Sequence, residues 1–351
     1  MSRQLVTLVI AGVCVLAALV VASVVAVPYV ALTPGPTFNT LGKSVNALGK
    51  PQSADLIEIS GRKTYPTTGH LNMVTISYTG GPGTGFNIFS ALRAWLTPHD
   101  AVVPQSEIYT PGQTQQQVVQ QDTQEMLGSQ EDATAAALCY LNINFTTVNT
   151  VTSTEKGLPA YGVLQSGDDI TAVDGTPVNC RNNVVSMIQD RTPGARVTLT
   201  IDRKGVTKTI TVATRNVNGV PTLGVYLAPQ AYHFPFAVKI NLADIGGPSA
   251  GLMFALGIID KLTTDNLTAG KFIAGTGEIA PNGQISPIGG IQQKMAAARS
   301  AGATIFLTPA SNCSNTIGAV PAGLRLVKVT SLANAVSELQ AIKRGQPTPS
   351  C

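Results

Sequence analysis

A chain of 351 residues with 44% hydrophobic and only 12% charged side chains has room for two ordinary domains and an additional apolar segment. Its net charge is +4, and the Lys and Arg residues are scattered, so no basic block supports phosphate tracking or nucleic-acid binding. None of the five cysteines is close enough to another for zinc-type spacing, and no metal or cofactor is expected.

Leu5 to Val27 carries no charge and is mostly Val, Ala and Leu. At a helical rise of 1.5 Å per residue it spans roughly 34 Å, enough for a hydrocarbon core of about 30 Å. A transmembrane anchor is therefore expected over residues 5–27. Arg3 is the only charge before it and Lys43 is the next basic residue, which favours a cytoplasmic N-terminus with the remainder outside, at the plasma membrane. A cleavable signal peptide is the rival, but its apolar core is usually shorter, and no small-x-small site precedes Pro28. Length and terminal position argue against a buried core helix.

Beyond the anchor lie Cys139, Cys180, Cys313 and Cys351. In an oxidising compartment four cysteines permit three pairings. Pairing within one region gives Cys139–Cys180 and Cys313–Cys351; four buried thiols are the alternative.

Pro28 to Gly42 is rich in Pro, Gly and Thr and reads as an extended connector. Leu56–Ile59 and Met73–Ile76 are strand-like. Thr114 to Leu141 has apolar faces and no Pro, and reads as a helix. These observations give an N-terminal region over residues 28–125 and a second unit over 126–228 with a leading helix. In that unit Leu164-x-x-Gly167-Asp168-x-Ile170 precedes an Asp174-Gly175-x-Pro177-Val178 turn. A helix over Asn182–Gln189 and a hairpin turning at Lys204-Gly205 follow. The segment resembles a bacterial PDZ domain, which implies binding of an extended peptide at a sheet edge. A β-rich spacer without a ligand is the alternative. Residues 229–345 alternate strands and helices and form an α/β-type third unit. The expected class is α+β multidomain.

The sharpest local feature is Gly246-Gly247-Pro248-Ser249-Ala250-Gly251 at the head of an apolar helix. Ser249 reads either as an ordinary N-cap or as a nucleophile with close backbone approach and helix-start N–H groups nearby. Gly247-x-Ser249-x-Gly251 also fits a nucleophile elbow, but that arrangement needs a later His, and His70, His99 and His233 all lie upstream. A His-Asp-Ser order survives by count alone, although no histidine has a recognisable context; His233 reads as a packing residue. Without His, lysine is the usual base. Among the five lysines after Ser249, Lys294 shares a helical face with Ile291, Ala298 and Ala301. Burial there disfavours the ammonium and yields a proton acceptor. The alternative is a surface lysine with its stem along apolar neighbours.

Taken together, Gly247-Pro248-Ser249-Ala250-Gly251, Gly275-Thr276-Gly277-Glu278 and Pro287-Ile288-Gly289-Gly290 ahead of Lys294 resemble the proteolytic domain of Lon proteases. The PDZ-plus-Lon order behind one anchor is similar to the YlbL-type membrane-anchored PDZ proteases of bacteria. The resemblance implies Ser249 as nucleophile, Lys294 as general base, Thr276 as its support, and the backbone at Gly247 and Ser249 as part of an oxyanion hole. Glu278 matches the motif without an assigned role. Two departures stand out. The chain has no Gly-x-x-x-x-Gly-Lys-Ser/Thr, so ATP-driven unfolding is not expected. The position two before Pro248, commonly acidic in Lon, is Gly246, with Asp244 further upstream. Lon domains form sixfold rings, which makes a homo-oligomer an implied partner beside the bilayer and extracytoplasmic or membrane protein substrates. The expected function is an ATP-independent extracytoplasmic serine endopeptidase. The rivals are a non-catalytic PDZ adaptor and a signal-peptidase-like Ser/Lys enzyme, whose serine would sit beside the anchor.

Overall fold

The computed structural model describes residues 3–45, 50–242 and 245–351; Asp244 lies outside them. Helix α1 (Arg3–Val24) has a mean hydropathy of 3.0 and buries none of its residues. It is long and apolar enough to cross a membrane. It ends before the expected Val27, because the Val27 N–H donates to the Phe86 carbonyl and leads the chain into the folded body.

The expected connector is a strand, β1 (Tyr29–Asn39). Its register against the next long strand slips between Pro34 and Thr37, where two prolines lack ladder donors. Gly35 sits in that slip, and a Cβ there would lie 2.5 Å from Thr75 Oγ1. In chain order there follow β2 (His70–Thr79), α2 (Ile88–Leu96), β3 (Ala101–Pro104) and α3 (Gln115–Tyr140). Thr114 caps α3 in a reciprocal box with Gln117. After the PDZ-like segment come α4 (Gly251–Leu262), β4 (Phe272–Gly275), α5 (Ile291–Ser300), β5 (Ile305–Pro309), β6 (Arg325–Val329) and α6 (Leu332–Lys343).

Six of these strands form one sheet in the order β6-β5-β4-β2-β1-β3. The pairs β6–β5, β5–β4 and β4–β2 are parallel; β2–β1 and β1–β3 are antiparallel. Side chains alternate between its faces. Ile273, Ile305 and Leu307 join the core made with α3, α4 and α6. Ala274 and Phe306 face the opposite layer with Ile291 and Met295 of α5. Burial on both faces explains why these strands read as continuous apolar runs.

The packing divides the chain differently from the expected blocks 28–125, 126–228 and 229–345. Three of the six strands come from residues 29–104, because β4 would otherwise leave an open parallel edge that β2 pairs. Helix α3, expected to lead the PDZ-like unit, buries Met126, Ala133, Ala136 and Leu138 in the same core as α4. The PDZ-like segment keeps its own core of Leu164, Ile170, Val173, Val197, Leu199 and Ile201. It is built on strands Asp169–Val173, Arg196–Arg203 and Val206–Ala213 and the helix Val184–Gln189. Asp168 of its signature is fully buried and takes two bonds from Arg203, at 2.6 and 2.7 Å. That guanidinium holds the Asp168 carboxyl below the usual carboxylate range.

Disulfides join Cys139 to Cys180 and Cys313 to Cys351. The first ties the end of α3 to the PDZ-like unit, beside the Arg181 guanidinium that donates to the Cys139 carbonyl. With a sequence separation of 41, losing this cross-link removes about 3–4 kcal/mol in the loop-entropy model. The variant Cys139→Ser/Cys180→Ser is thus expected to show a clearly lower Tm by calorimetry. An unchanged Tm would show that the Arg181 contacts alone hold the two units together.

Candidate active site

Ser249 sits at the end of a Gly-Gly-Pro turn, two residues before α4 begins. The helix is capped by Ala250 without a side-chain bond, so Ser249 is not the N-cap. Its carbonyl is held instead by the Thr276 hydroxyl at 2.9 Å and the Gly277 N–H at 2.9 Å. That pair fixes the serine backbone and leaves the hydroxyl free of backbone duties.

Lys294 lies on the first turn of α5, and its side chain is buried against the sheet. Ile291 and Ala298 share its burial as expected, but Ala301 is exposed, because α5 ends at Ser300. The ammonium nitrogen Nζ lies 2.6 Å from Ser249 Oγ and 3.2 Å from Thr276 Oγ1. Both partners are hydroxyls. Among the described residues no carboxylate pairs with Lys294. Burial lowers its pKa to about 7. A surface lysine is excluded by its 2% exposure. Ser249, Lys294 and Thr276 are therefore brought into one hydrogen-bonded cluster.

The three histidines take no part. His70 stacks on Phe272 at 4.5 Å, the His99 carbonyl accepts from Gln293, and His233 is exposed rather than packed. None of them lines the cleft at Ser249.

Gly247 has φ +84, which suits glycine, and its N–H donates to the Asp122 carbonyl at 3.1 Å. That donor, expected near an oxyanion, is thus engaged by α3. Among the described residues, the backbone N–H groups of Ser249 and Ala250 meet no acceptor.

Sequence reasoning missed the contribution of α3. Asp122, Glu125 and Met126 line the cleft, and Ser129 Oγ donates to the Pro248 carbonyl at 2.9 Å. Asp122, Met126, Ser129 and Ala133 form one helical stripe, a signal that a face is used but not against what. A Cβ on Gly246 would lie 2.4 Å from Asp122 Cβ. At the position where Lon commonly carries an acid, the neighbouring space is thus filled by an aspartate from α3. Burial, and then the charge of Glu125, raise the Asp122 carboxyl above its ordinary value. Gly246→Ala is expected to part the Gly246–Ser249 turn from α3, costing about 1–3 kcal/mol and most of any hydrolytic rate. Thermal melts and initial rates check this; a variant of unchanged stability would mean the turn relaxes freely.

The cleft has a volume of about 540 Å³. One wall is β2, which outruns its neighbour: β4 pairs only as far as Met73. From Val74 onward β2 has β1 on one side, and no described strand pairs it on the other. Residues 74–78 line the cleft along that open edge, facing Ser249 and the Pro287–Gly289 segment. Such an edge can take an extended peptide as a further strand. Glu278 also lines the cleft, pairing through β-bridges with Ser286.

Residues 243–342 match the family model described as the Lon protease (S16) C-terminal proteolytic domain, and residues 128–214 match that of a PDZ domain. The chain is 32% identical over 121 residues to Lon protease 2 of Bacillus subtilis (strain 168), covering 34% of this chain and 20% of that protein. It is 30% identical over 123 residues to a Lactococcus lactis protein named as a zinc metalloprotease, covering 34% of this chain and 28% of that one. The alignments thus span less than a third of either relative. The His-Glu-x-x-His signature of a common zinc-protease class is absent: Leu71, Asp100 and Phe234 follow the three histidines. Among solved structures, the PDZ domain of an SdrC-like protein from Listeria monocytogenes is 23% identical, covering 22% of this chain and 85% of that one, with a TM-score of 0.21.

Proposed function

We propose that this chain, which carries a PDZ domain and a Lon-type proteolytic domain, is an ATP-independent serine endopeptidase held at the plasma membrane by α1. Ser249 is the nucleophile and Lys294 its general base. The observation that carries this reading is the 2.6 Å contact between Lys294 Nζ and Ser249 Oγ, made by a buried amine that has no carboxylate partner among the described residues. A neutral amine at that distance accepts the serine proton as Oγ attacks the peptide carbonyl. A new C–O bond forms as the carbonyl π bond opens to a tetrahedral oxyanion near the open N–H groups of Ser249 and Ala250, and its collapse breaks the C–N bond to leave the acyl ester. Lys294 then gives its proton to the leaving amine and activates the water that hydrolyses the ester. Thr276 bonds both the serine carbonyl and the lysine, and so positions them together.

The substrate is an extended segment laid along the open edge of β2. The PDZ domain holds a second, extended or C-terminal, part of the same protein. With no ATPase signature in the chain, substrates must present already accessible segments. The two disulfides support placement of everything after α1 in an oxidising compartment, with Arg3 on the cytoplasmic side. Homo-oligomeric rings are part of the same reading. A fluorophosphonate serine probe tests it: the full chain is expected to be labelled, increasingly from pH 6 to 8, and Ser249→Ala not at all. Equal labelling of both proteins would refute Ser249 as the nucleophile.

A further inference from the structure

Helix α2 is built inside out. Its buried face is small: Ala94 packs with Ala31 and Phe86, and Ala91 lies beside them. Its large apolar side chains point outward. Ile88, Phe89 and Leu92 are more than two-fifths exposed, while Trp95 and Leu96 reach 72% and 69%. At 100° per residue these five positions fall within one stripe about a third of the way round the helix. Water-exposed stripes of this kind are rare on monomeric proteins unless something covers them.

The position of α2 says what covers it. The Asn87 side chain caps α2 through the Ser90 N–H and also donates to the Ser23 carbonyl in the last turn of α1. Ala26 and Asn87 form a β-bridge, and the Val27 N–H donates to the Phe86 carbonyl. The start of α2 is therefore fastened directly to the end of the helix that is long enough to cross the bilayer. A tryptophan on a short amphipathic helix at that level matches the preference of indole for the headgroup boundary.

We infer that α2 lies in the outer-leaflet interface, with Phe89, Leu92, Trp95 and Leu96 in contact with lipid, as a second attachment beside α1. The inference rests on α1 spanning the membrane. It has a consequence for the cleft: β2 runs from the cleft through Gly80 to α2, and Thr79 pairs with Ala31, close behind the end of α1. The two attachments fix the body's orientation and hold the open edge of β2 towards the membrane surface, where juxtamembrane segments of other proteins present themselves.

Trp95 is the only tryptophan in the chain, so its fluorescence reports α2 alone. The full chain is reconstituted into phosphatidylcholine–phosphatidylglycerol vesicles whose lipids are brominated either near the headgroup end or near the terminal methyl of the acyl chain. The expected result is blue-shifted emission, cut by about half by the shallow bromines and clearly less by the deep ones. Leu92→Asp/Leu96→Asp is expected to abolish the quenching while leaving hydrolysis of a soluble peptide unchanged. Alkaline carbonate extraction of the same vesicles separates the two readings. A chain retained after extraction but unquenched overturns the role of α2 and leaves the anchor standing. A chain released by carbonate overturns both. Blue-shifted emission without bromine quenching means protein, such as a second copy of this chain, covers the stripe, and overturns the lipid assignment.

Discussion

Ser249→Ala is expected to lower hydrolysis of an unstructured peptide by about 10⁴-fold or more while the chain folds as before. The size follows from the chemistry: without Oγ there is no atom to form the ester, and binding and oxyanion donors retain only a residual rate. The unchanged fold follows from the contacts. The serine carbonyl, not its hydroxyl, makes the bonds that hold the turn, to Thr276 and Gly277. Among the described residues the hydroxyl has one partner, Lys294. Initial rates and thermal melts of the two full-length proteins, in the same detergent, measure both halves. A variant that keeps more than a tenth of the rate would remove Ser249 from the mechanism.

Lys294→Met has the second large effect, and it acts in opposite directions on rate and stability. The variant keeps the length and apolar stem of the side chain and removes the amine. Loss of a general base lowers the rate by about 10²–10⁴-fold. Lys294→Arg is expected to be no better, since guanidinium does not deprotonate in this range. For stability, burial lowers the folded-state pKa to about 7, whereas an unfolded lysine titrates at about 10.4. Between these values the unfolded chain holds a proton that the folded chain has released. Stability from this group therefore rises with pH from about 7 to about 10.4 and is absent below about 7. Its full extent is on the order of 4 kcal/mol. Lys294→Met lacks that slope and is expected to melt higher than the natural chain at pH 6. On the proposed mechanism the same proton governs the hydrolytic rate of the natural chain, which should climb about tenfold per pH unit up to about 7 and then level off. A rate that is flat from pH 5.5 to 8 would rule out a neutral Lys294 as the base.

The sequence narrows the candidate site to particular residues without deciding their roles. The Gly-Gly-Pro-Ser turn, the absence of any histidine after Ser249, and the apolar spacing around Lys294 all follow from residue type and order. Thr276 came only from the resemblance to Lon proteolytic domains. The strand–helix alternation of residues 229–345 was legible, and so was the helix over Thr114–Leu141 from its apolar faces and lack of proline. Ser249 was ambiguous as an N-cap until the helix start at Gly251 separated the two roles. Ala301 and His233 are exposed where burial is expected, because helical spacing or a neighbouring aromatic says which residues share a face but not where an element ends or what covers it.

Residue type and order limited the local chemistry: which side chains could attack, accept a proton, cross a bilayer or pair as disulfides. Those properties belong to residue type and short-range spacing. The tertiary structure alone decided that residues 29–104 complete the sheet and that α3 forms a wall of the cleft. It also decided that Asp122 stands beside Gly246 and that α2 is fastened to the end of α1. Each of these is a contact between residues far apart in the chain. Such contacts are selected by whichever edges and apolar faces the whole fold leaves uncovered, and no local pattern encodes which partner closes them.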